Sequence, residues 1–310
     1  MKQKQSENER IYPIWVDFSN QPLSSKDVKV RMKLEFSRIE HPETSIRDSV
    51  SQTFSRRKEK NPMLYNGTKF RAHNARKSKD GKILEMDCAM TDYAYVKNSI
   101  LAVERKFNTK TIHRSYLGTN WNEKFVNLDR KYLSEPLGLA AILHTSCDKI
   151  VALRRSAHVG EYPNFLDVPG GHPEPKHVKG CEKWMDDDDD SLSSRIVHEF
   201  FNGALCEIRD EINVPIESIS DLRLLGLVHH NQIKRCGSGP GLVFVARTNL
   251  NCDDIKKLYK KGPVEAFEST SLTFFDIKTA LQIDDTPSLR NQFSAKCRGA
   301  ITLWTRYMIT

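Results

Sequence analysis

A glycine turn followed by a long amphipathic segment is the feature that most limits how this chain can fold. From about residue 193 to about residue 212, apolar residues recur at helical spacing, which predicts a helix with one buried face. Residues 169–171, Pro-Gly-Gly, come before this segment, and short apolar runs typical of strands precede the turn. The order of elements predicts a mixed α/β domain in which helices cover a sheet. The strand candidates are residues 139–143, 150–155 and 165–168, and the predicted buried stripe of the helix is Val197, Phe201, Ala204, Ile208 and Ile212.

The chain divides at residues 136–138, where Pro-Leu-Gly marks a seam. We predict a smaller N-terminal α+β domain over residues 11–135 and a second domain over residues 136–310, with residues 1–10 mobile. Residues 28–36 alternate apolar and polar side chains, which predicts a strand. The other elements predicted in the N-terminal domain are a helix over residues 46–54 and a strand over residues 84–90.

Five consecutive aspartates, residues 186–190, stand just before the predicted helix. Such a run can bind metal, but like charges repel and no apolar residue anchors the segment. We therefore predict a disordered acidic insertion near residues 176–192. Ser193 or Ser194 then offers a side chain that can cap the helix, and Asn213 is expected at its end.

Charge and hydropathy restrict the partners of the chain without naming one. The 310 residues carry a formal net charge of +8 and the pI is near 9.0, which allows a phosphorylated small molecule, RNA or an acidic surface as partner. The longest apolar run, around residues 137–143, is too short to cross a bilayer, and the first ten residues lack the apolar core of a secretory signal. We expect no membrane partner, and the oligomeric state stays open.

The cysteine pattern favours a reducing compartment. There are seven cysteines, an odd number, scattered along the chain without a CxxC pair. This pattern argues against a disulfide framework and against a cysteine zinc site. Reduced thiols are typical of cytoplasmic or nuclear proteins, and we expect one of these two locations.

Acidic residues crowd one end of the predicted helix, although the chain as a whole is basic. Glu207, Asp210 and Glu211 fall within five residues. Like charges four residues apart on a helix repel by about 0.2–0.5 kcal/mol. Four residues turn a helix only about 40° beyond one full turn, so Glu207 and Glu211 project from the same face. The pair is compatible with a solvated surface or with ligands for Mg²⁺ or Mn²⁺, which prefer carboxylate oxygens.

The turn before the helix carries polar side chains on a stiff segment. In LDVPGGHPEP, residues 166–175, two glycines allow the backbone to approach a ligand closely, and two prolines stiffen the end of the segment. Asp167, His172 and Glu174 project from this segment. Each of them can also serve the loop itself, by bonding turn amides or by capping, so the residues alone leave both roles open.

Together, the turn and the helix resemble the signature of the Nudix hydrolases. The segment CEIRDEINV, residues 206–214, is similar to the REUXEEXGU end of that signature, where U is a bulky aliphatic residue. Three departures matter. Cys206 stands in place of the arginine, Asn213 stands in place of the glycine, and the interval from Gly171 to Glu207 is about twenty residues longer than in the signature.

The long interval displaces the first glutamate of the signature, whose position by spacing is His198, with Glu199 next to it. A long polar insertion at this point is similar to that of one branch of the family, the UDP-glucose and UDP-galactose pyrophosphatases. The segments SYLGTNW, SEPLG, LRRS, GPVEAFEST and GAI elsewhere in the chain also resemble that branch.

The resemblance implies a fold and a set of site residues. The fold is a Nudix-type α/β/α sandwich with a mixed sheet, and the cofactor is Mg²⁺ or Mn²⁺, held by the catalytic residues Glu207 and Glu211. By position, the family's substrate contacts correspond to Tyr65, Tyr93, Arg155, Asp167, His172 and Glu174, and Lys296 is a further candidate on a looser alignment.

The expected function is Mg²⁺-dependent hydrolysis of UDP-glucose and UDP-galactose to UMP and a sugar 1-phosphate. The metal would neutralise the diphosphate and activate water. Glu199, Asp210 and Glu211 are the candidates for the general base. Two alternatives stay open: hydrolysis of another nucleoside diphosphate derivative such as ADP-ribose or an RNA cap, and an inactive nucleotide-binding module. The chain lacks the interleaved aromatic and basic residues of an RNA platform, so we expect no nucleic-acid partner.

Overall fold

The computed structural model describes residues 14–40, 42, 44–60, 66–92, 134–159, 162–181, 189–230 and 239–310. Within these residues the strands form one sheet of seven strands and one of three. The strands are β1 (Ile14–Asp17), β2 (Val28–Met32), β3 (Thr68–Lys77), β4 (Leu84–Asp92), β5 (Gly138–His144), β6 (Ile150–Arg155), β7 (Leu166–Asp167), β8 (Ile219–His230), β9 (Gly239–Thr248) and β10 (Ser269–Phe275). The helices are α1 (Thr44–Lys60), α2 (Asp190–Ile212), α3 (Cys252–Lys260), α4 (Ile277–Gln282), α5 (Pro287–Arg290) and α6 (Ala295–Ile309).

The seven-stranded sheet is mixed, which confirms the predicted α/β class. Its order is β1-β8-β9-β5-β6-β10, with β7 paired to β6. β5 runs parallel to β9, and the other pairs are antiparallel. All of β5 is buried, because Leu139 and Ala141 pack in the core on one face while Ala140 and Ile142 pack in the core on the other. A strand covered on both faces has a continuous apolar sequence, which makes it recognisable from the sequence alone.

Helices cover both faces of this sheet. α2 packs on β5 and also contacts β2 of the smaller sheet. α6 packs on β8, β5 and β9, with the Trp304 side chain fully buried in the second core. None of the described helices combines the length and the apolar composition that crossing a membrane would require.

The three-stranded sheet is built from the N-terminal part of the chain. β2 is parallel to β4, and β3 is antiparallel to β4. β1 lies elsewhere, because it pairs with β8 in the large sheet, and Asp17 forms an ion pair of 2.6 Å with Arg306 of α6. The amide of Leu137 donates a hydrogen bond of 2.7 Å to the carbonyl oxygen of Phe70, which joins β3 to the start of β5. The first strand therefore belongs to the sheet of the second predicted domain, and the domain boundary at residue 135 stays a prediction.

The strand predicted over residues 28–36 is too long. β2 ends at Met32, and Leu34–Phe36 forms a 3₁₀ turn in which Leu34 is 69% exposed. The alternation of side chains continues past the strand, but the backbone does not. The helix over residues 46–54 is confirmed and is longer than predicted, and the strand over residues 84–90 is confirmed as β4.

The prediction that Ser193 or Ser194 caps α2 is wrong. Asp189 is the cap, since its Oδ1 accepts hydrogen bonds of 2.8 and 3.0 Å from the amides two and three residues further on. A carboxylate satisfies these amides and also interacts favourably with the positive end of the helix dipole. Ser193 instead accepts a hydrogen bond of 2.9 Å from the amide of Val30, which ties α2 to β2.

The buried face and the end of α2 mostly follow the prediction. Asn213 has a φ of 60°, the left-handed conformation that asparagine tolerates at a helix end. Phe200 is buried, whereas Phe201, which was predicted in the stripe, is only partly buried. The other predicted members of the stripe, Val197, Ala204, Ile208 and Ile212, are buried.

The acidic insertion is ordered at both ends. Residues Pro175–His177 form a 3₁₀ turn, and Asp189 and Asp190 begin α2. The predicted disordered region, residues 176–192, is therefore too wide on both sides. The rest of the aspartate run lies outside the described residues.

Two cysteines are joined, contrary to the prediction of thiols throughout. Cys147, in the turn between β5 and β6, is disulfide-bonded to Cys252, the first residue of α3. The two residues are 105 positions apart, so spacing in the sequence does not indicate the pairing. Among the other described cysteines, Cys88, Cys181, Cys206 and Cys297 form no disulfide within the described part of the chain. The cytoplasmic or nuclear location stays a prediction.

Candidate active site

Three carboxylates from two elements lie together near the end of α2. Glu207 and Glu211 share one face of the helix, as predicted, and Glu265 joins them from the loop between α3 and β10. One carboxylate oxygen of each residue lies within 4.8 Å of the other two. The loop is held against the helix by a hydrogen bond of 2.8 Å from the Glu265 amide to the carbonyl oxygen of Asp210. Three acids at this spacing suit a hard divalent cation.

The glycine turn lies directly against these acids. The amide of Gly170 donates a hydrogen bond of 2.8 Å to Oε2 of Glu211. A Cβ atom on Gly171 would lie 2.1 Å from Oε1 of Glu207, and one on Gly170 would lie 2.3 Å from the carbonyl oxygen of Leu139. Glycine is the residue that permits so close an approach. The turn therefore fixes the position of α2 relative to β5 at the point where the two acids project.

Burial and mutual repulsion shift the titration of the three acids. Burial raises the pKa of Glu207 to about 8, with the charge of Glu265 adding to the effect and that of Lys296 opposing it. Burial, followed by the charge of Glu207, raises the pKa of Glu211 well above its usual range. Burial and neighbouring acids also raise the pKa of Glu265. A bound cation would reverse this balance by stabilising the charged forms.

Glu211 also has an unsatisfied atom. Its Oε1 is buried and has no hydrogen-bond partner within the described part of the chain. A buried acceptor without a partner costs free energy, of about 1–3 kcal/mol. A metal ion bound between the three acids would satisfy this oxygen, so the donor set fits Mg²⁺ or Mn²⁺.

Glu265 is a site residue that the sequence does not single out. It lies in GPVEAFEST, a segment that resembles the pyrophosphatase branch and contains two acids, Glu265 and Glu268. That repeat of acids is the signal available in the sequence. The segment is more than fifty residues beyond α2, and only the fold brings the two together.

Basic side chains also reach this region, including two of the predicted candidates. Arg155, the last residue of β6, is close enough to lower the pKa of both Glu211 and His172. Lys296, in the first turn of α6, donates a hydrogen bond of 3.1 Å to the carbonyl oxygen of Leu139 and lowers the pKa of Glu207. The structure therefore brings Arg155 and Lys296 to the acid cluster.

His172 and Glu174 follow the glycine turn and face cationic groups. Burial, followed by the charges of Lys69 and Lys296, lowers the pKa of His172 to about 3. Burial alone would raise the pKa of Glu174, but hydrogen bonds from Lys176 and Lys69 outweigh it and hold the pKa at about 2. At neutral pH His172 is therefore uncharged, whereas Glu174 is ionised.

Two of the three candidates for the general base are engaged elsewhere. Oε1 of Glu199 accepts a hydrogen bond of 3.0 Å from the amide of Glu174 and lies 3.2 Å from Nδ1 of His177. Asp210 accepts hydrogen bonds of 2.7 and 2.8 Å from the guanidinium of Arg209. Glu199 therefore anchors the loop after the glycine turn, and Asp210 forms a two-pronged ion pair with its neighbour.

The remaining predicted substrate residues are Asp167, Tyr65 and Tyr93. Asp167 is buried on β7, and its Oδ1 accepts a hydrogen bond of 3.0 Å from the amide of Val168. Its part in substrate binding stays a prediction. Tyr65 and Tyr93 lie outside the described residues.

Two proteins of known class are similar to this chain in sequence. The uridine diphosphate glucose pyrophosphatase NUDT22 of Bos taurus is 31% identical over 258 residues, which cover 79% of this chain and 80% of the relative. Nudix hydrolase 9 of Arabidopsis thaliana is 30% identical over 262 residues, which cover 81% of this chain and 78% of the relative. No family model matches the chain.

The likeness to solved structures is weaker. The NUDIX domain of Shewanella oneidensis NrtR is 16% identical to this chain, and the match has a TM-score of 0.36. It covers 62% of this chain and 100% of the NrtR domain.

The identity over most of both chains shows that this chain belongs to the Nudix hydrolases, as the signature predicts. Within that family its resemblance to the UDP-glucose pyrophosphatase branch is confirmed, and so is the prediction that it is an enzyme.

Proposed function

We propose that the chain is a metal-dependent pyrophosphatase that hydrolyses the diphosphate of UDP-sugars, giving UMP and a sugar 1-phosphate. The observation that carries the proposal is the cluster of Glu207, Glu211 and Glu265 against the glycine turn. The names of the similar pyrophosphatases support the substrate class. UDP-glucose and UDP-galactose are the expected substrates.

The residues of the cluster fit Mg²⁺ or Mn²⁺. Glu207 and Glu211 would hold the ion from α2, with Glu265 beside them, and the buried Oε1 of Glu211 would gain the partner that it lacks among the described residues. When bound, such an ion neutralises phosphate charge and lowers the pKa of water.

Proton removal is the task we assign to Glu265. It is the one acid of the cluster that does not come from α2, and burial together with Glu268 raises its pKa. A carboxylate with a raised pKa is a better proton acceptor at neutral pH than an ordinary glutamate. Glu199 and Asp210 are less suited, because each already accepts hydrogen bonds from other groups.

The neutral state of His172 limits what it can do. With a pKa of about 3 it carries no charge at neutral pH and cannot act as an imidazolium. It can still donate one hydrogen bond to a phosphate oxygen. The cationic side chains of Arg155 and Lys296 would stabilise the negative charge that develops on phosphate oxygens.

The test is an assay of product release from UDP-glucose, UDP-galactose, ADP-ribose and a capped RNA, each with Mg²⁺, with Mn²⁺ and with a chelator. We expect UMP and sugar 1-phosphate from the two UDP-sugars, and no product in the chelator. If ADP-ribose or the capped RNA were the better substrate, the UDP-sugar assignment would be wrong even though the family assignment stood.

A further inference from the structure

A lysine from the small N-terminal sheet reaches the loop that follows the glycine turn. Nζ of Lys69, on β3, lies 2.7 Å from Oε1 of Glu174. Both side chains are largely buried, with 11% and 16% of their surface exposed. A buried ammonium needs a carboxylate partner or an anionic ligand to offset its lost hydration. Glu174 meets part of that need in the protein alone.

The electrostatic surroundings of His172 locate Lys69 relative to the catalytic groups. Burial contributes most to the lowered pKa of His172, and the next contributors are the charges of Lys69 and Lys296, with Arg155 also acting in this direction. Glu174 is the one carboxylate among these principal influences. Three cations from three separate elements therefore act electrostatically on the residue that directly follows Gly171.

The acid cluster lies against the same turn. The backbone of Gly171 is in contact with the carboxylate of Glu207, and His172 is its neighbour in the chain. The site thus has an acidic side, suited to a cation, and a cationic side, suited to an anion. A diphosphate with a divalent cation matches both sides at once.

We propose that Lys69 binds the diphosphate of the substrate, and that Glu174 is a positioning residue that holds the lysine ammonium at the site. This proposal rests on the proposed function, because it takes the diphosphate as the ligand of the site. An ammonium has three donors, so Lys69 can keep its bond to Glu174 and still donate to a phosphate oxygen.

The proposal gives the three-stranded sheet a part in substrate binding, and it makes the action of Glu174 on the substrate indirect. The family resemblance implies a direct contact between Glu174 and the substrate, but in the structure the carboxylate is engaged by Lys69 and Lys176. A carboxylate facing a phosphate would repel it, whereas a carboxylate behind a lysine keeps the cation in place. Glu174 therefore acts on the substrate through Lys69.

The test is calorimetric titration of the full chain in Mg²⁺ with two probes, UDP and inorganic pyrophosphate. For Lys69→Met we expect affinity for both probes to fall about 10- to 100-fold, the range for losing one hydrogen bond to a charged group. Lys69→Arg should recover most of the affinity. Lys29→Met, which removes an exposed lysine from β2 of the same sheet, should leave both affinities unchanged.

The decisive comparison is with Glu174→Gln. If Lys69 binds phosphate and Glu174 positions it, removing the carboxylate leaves the lysine present but less well held, so affinity should fall only about threefold while Lys69→Met loses about tenfold or more. Equal losses in the two variants would mean that the ion pair only anchors the loop, and the proposal would be overturned. Unchanged affinity in Lys69→Met would overturn it as well.

Turnover separates this proposal from the proposed function. In UDP-glucose hydrolysis Lys69→Met should raise KM more than it lowers kcat. If the wild-type chain did not hydrolyse UDP-glucose, the substrate assignment would fail, yet a selective loss of pyrophosphate affinity in Lys69→Met would still support the role of the lysine. Should Lys69→Met fail to fold, Lys69→Gln, which keeps a donor without the charge, carries the same expectation.

Discussion

The two sides of the site treat their carboxylates in opposite ways. In the acid cluster, burial and the neighbouring negative charges raise the pKa of Glu207 to about 8. In the loop after the glycine turn, Glu174 receives hydrogen bonds from two lysines, and its pKa is lowered to about 2. The pKa of a glutamate therefore differs by several units between these two positions of one site.

The difference separates the electrostatics that the chain satisfies by itself from those that it leaves to a ligand. Glu174 and Lys69 form a pair within the protein. The three acids of the cluster have no comparable partner among the described residues, since Lys296 opposes the shift of Glu207 without cancelling it. A group of like charges that the fold keeps together is a sign of function, because its cost is not recovered in the protein alone.

The largest effect is expected from neutralising an acid of the cluster. Glu207→Gln or Glu211→Gln should reduce turnover of UDP-glucose to less than about a tenth of wild type, because the ion loses a charged ligand. The fold should survive, and in the absence of metal the melting temperature should rise, because a source of buried repulsion is removed. Turnover at saturating Mg²⁺ and thermal melting with a chelator are the two measurements.

The control for these variants is Glu217→Gln, which neutralises an exposed glutamate beyond the end of α2. It should change neither measurement. If Glu207→Gln kept more than about a tenth of wild-type turnover at saturating Mg²⁺, the metal assignment would be wrong.

A smaller loss is expected when the acid on the loop is neutralised. Glu265→Gln should lower kcat by about a hundredfold, within the range for removing a general base, while Glu207 and Glu211 still bind the ion. The apparent affinity for Mg²⁺ should therefore change much less than in Glu207→Gln. Measuring kcat against Mg²⁺ concentration separates these effects, and a loss of Mg²⁺ affinity equal to that of Glu207→Gln would identify Glu265 as a ligand instead.

The sequence predicts well those features of the site that depend on one short stretch of chain. Glu207 and Glu211 face the same way because helix geometry alone sets their directions. The nearby glycines are recognisable because Pro-Gly-Gly marks a turn in the sequence itself. A continuous apolar run likewise identifies β5, whose faces are both covered. In each case the information lies within one short stretch of chain.

The remaining features depend on contacts between distant segments. Glu265 and Lys69 reach the site from a loop and a strand far from α2 in the sequence, and periodicity carries no information on such contacts. The disulfide between Cys147 and Cys252 escapes prediction for the same reason. The prediction of the helix cap is wrong for a different reason. Asp189, which caps the helix, is one of five consecutive aspartates, and the composition of that run predicts disorder.

The close approach of the glycine turn offers a third way to disturb the acidic side alone. Gly171→Ala would place a Cβ atom 2.1 Å from Oε1 of Glu207, so the carboxylate or the turn must move. We expect kcat/KM to fall about 10- to 100-fold, which is typical of a displacement near 1 Å at a catalytic group. Gly81→Ala is the control, since it lies in open space and its φ of +74° should cost stability without affecting turnover. Equal activity losses in the two variants would contradict the steric explanation.

The smallest effect, and the most direct test of the contrast, is the dependence of stability on pH without metal. The pKa of Glu207 in the folded chain, about 8, lies above its usual value of 4.5, so between these values the folded state keeps a proton that the unfolded state has released. Stability from this group is therefore present below pH 4.5 and is lost as the pH rises towards 8. The pKa of Glu174 is lowered to about 2, so the stability that it contributes is present above its usual pKa and is lost only as the pH falls towards 2.

We expect the difference in melting temperature between Glu207→Gln and wild type, measured in a chelator, to grow in favour of the variant from pH 5 to pH 8, by a few degrees at most. The corresponding difference for Glu174→Gln should stay constant over this range. Mg²⁺ should raise the melting temperature of wild type more at pH 8 than at pH 5, because protons compete with the ion for the same carboxylates. A difference between Glu207→Gln and wild type that did not change with pH would show that the acid is already ionised in the protein without metal, and that the two sides of the site do not differ as described.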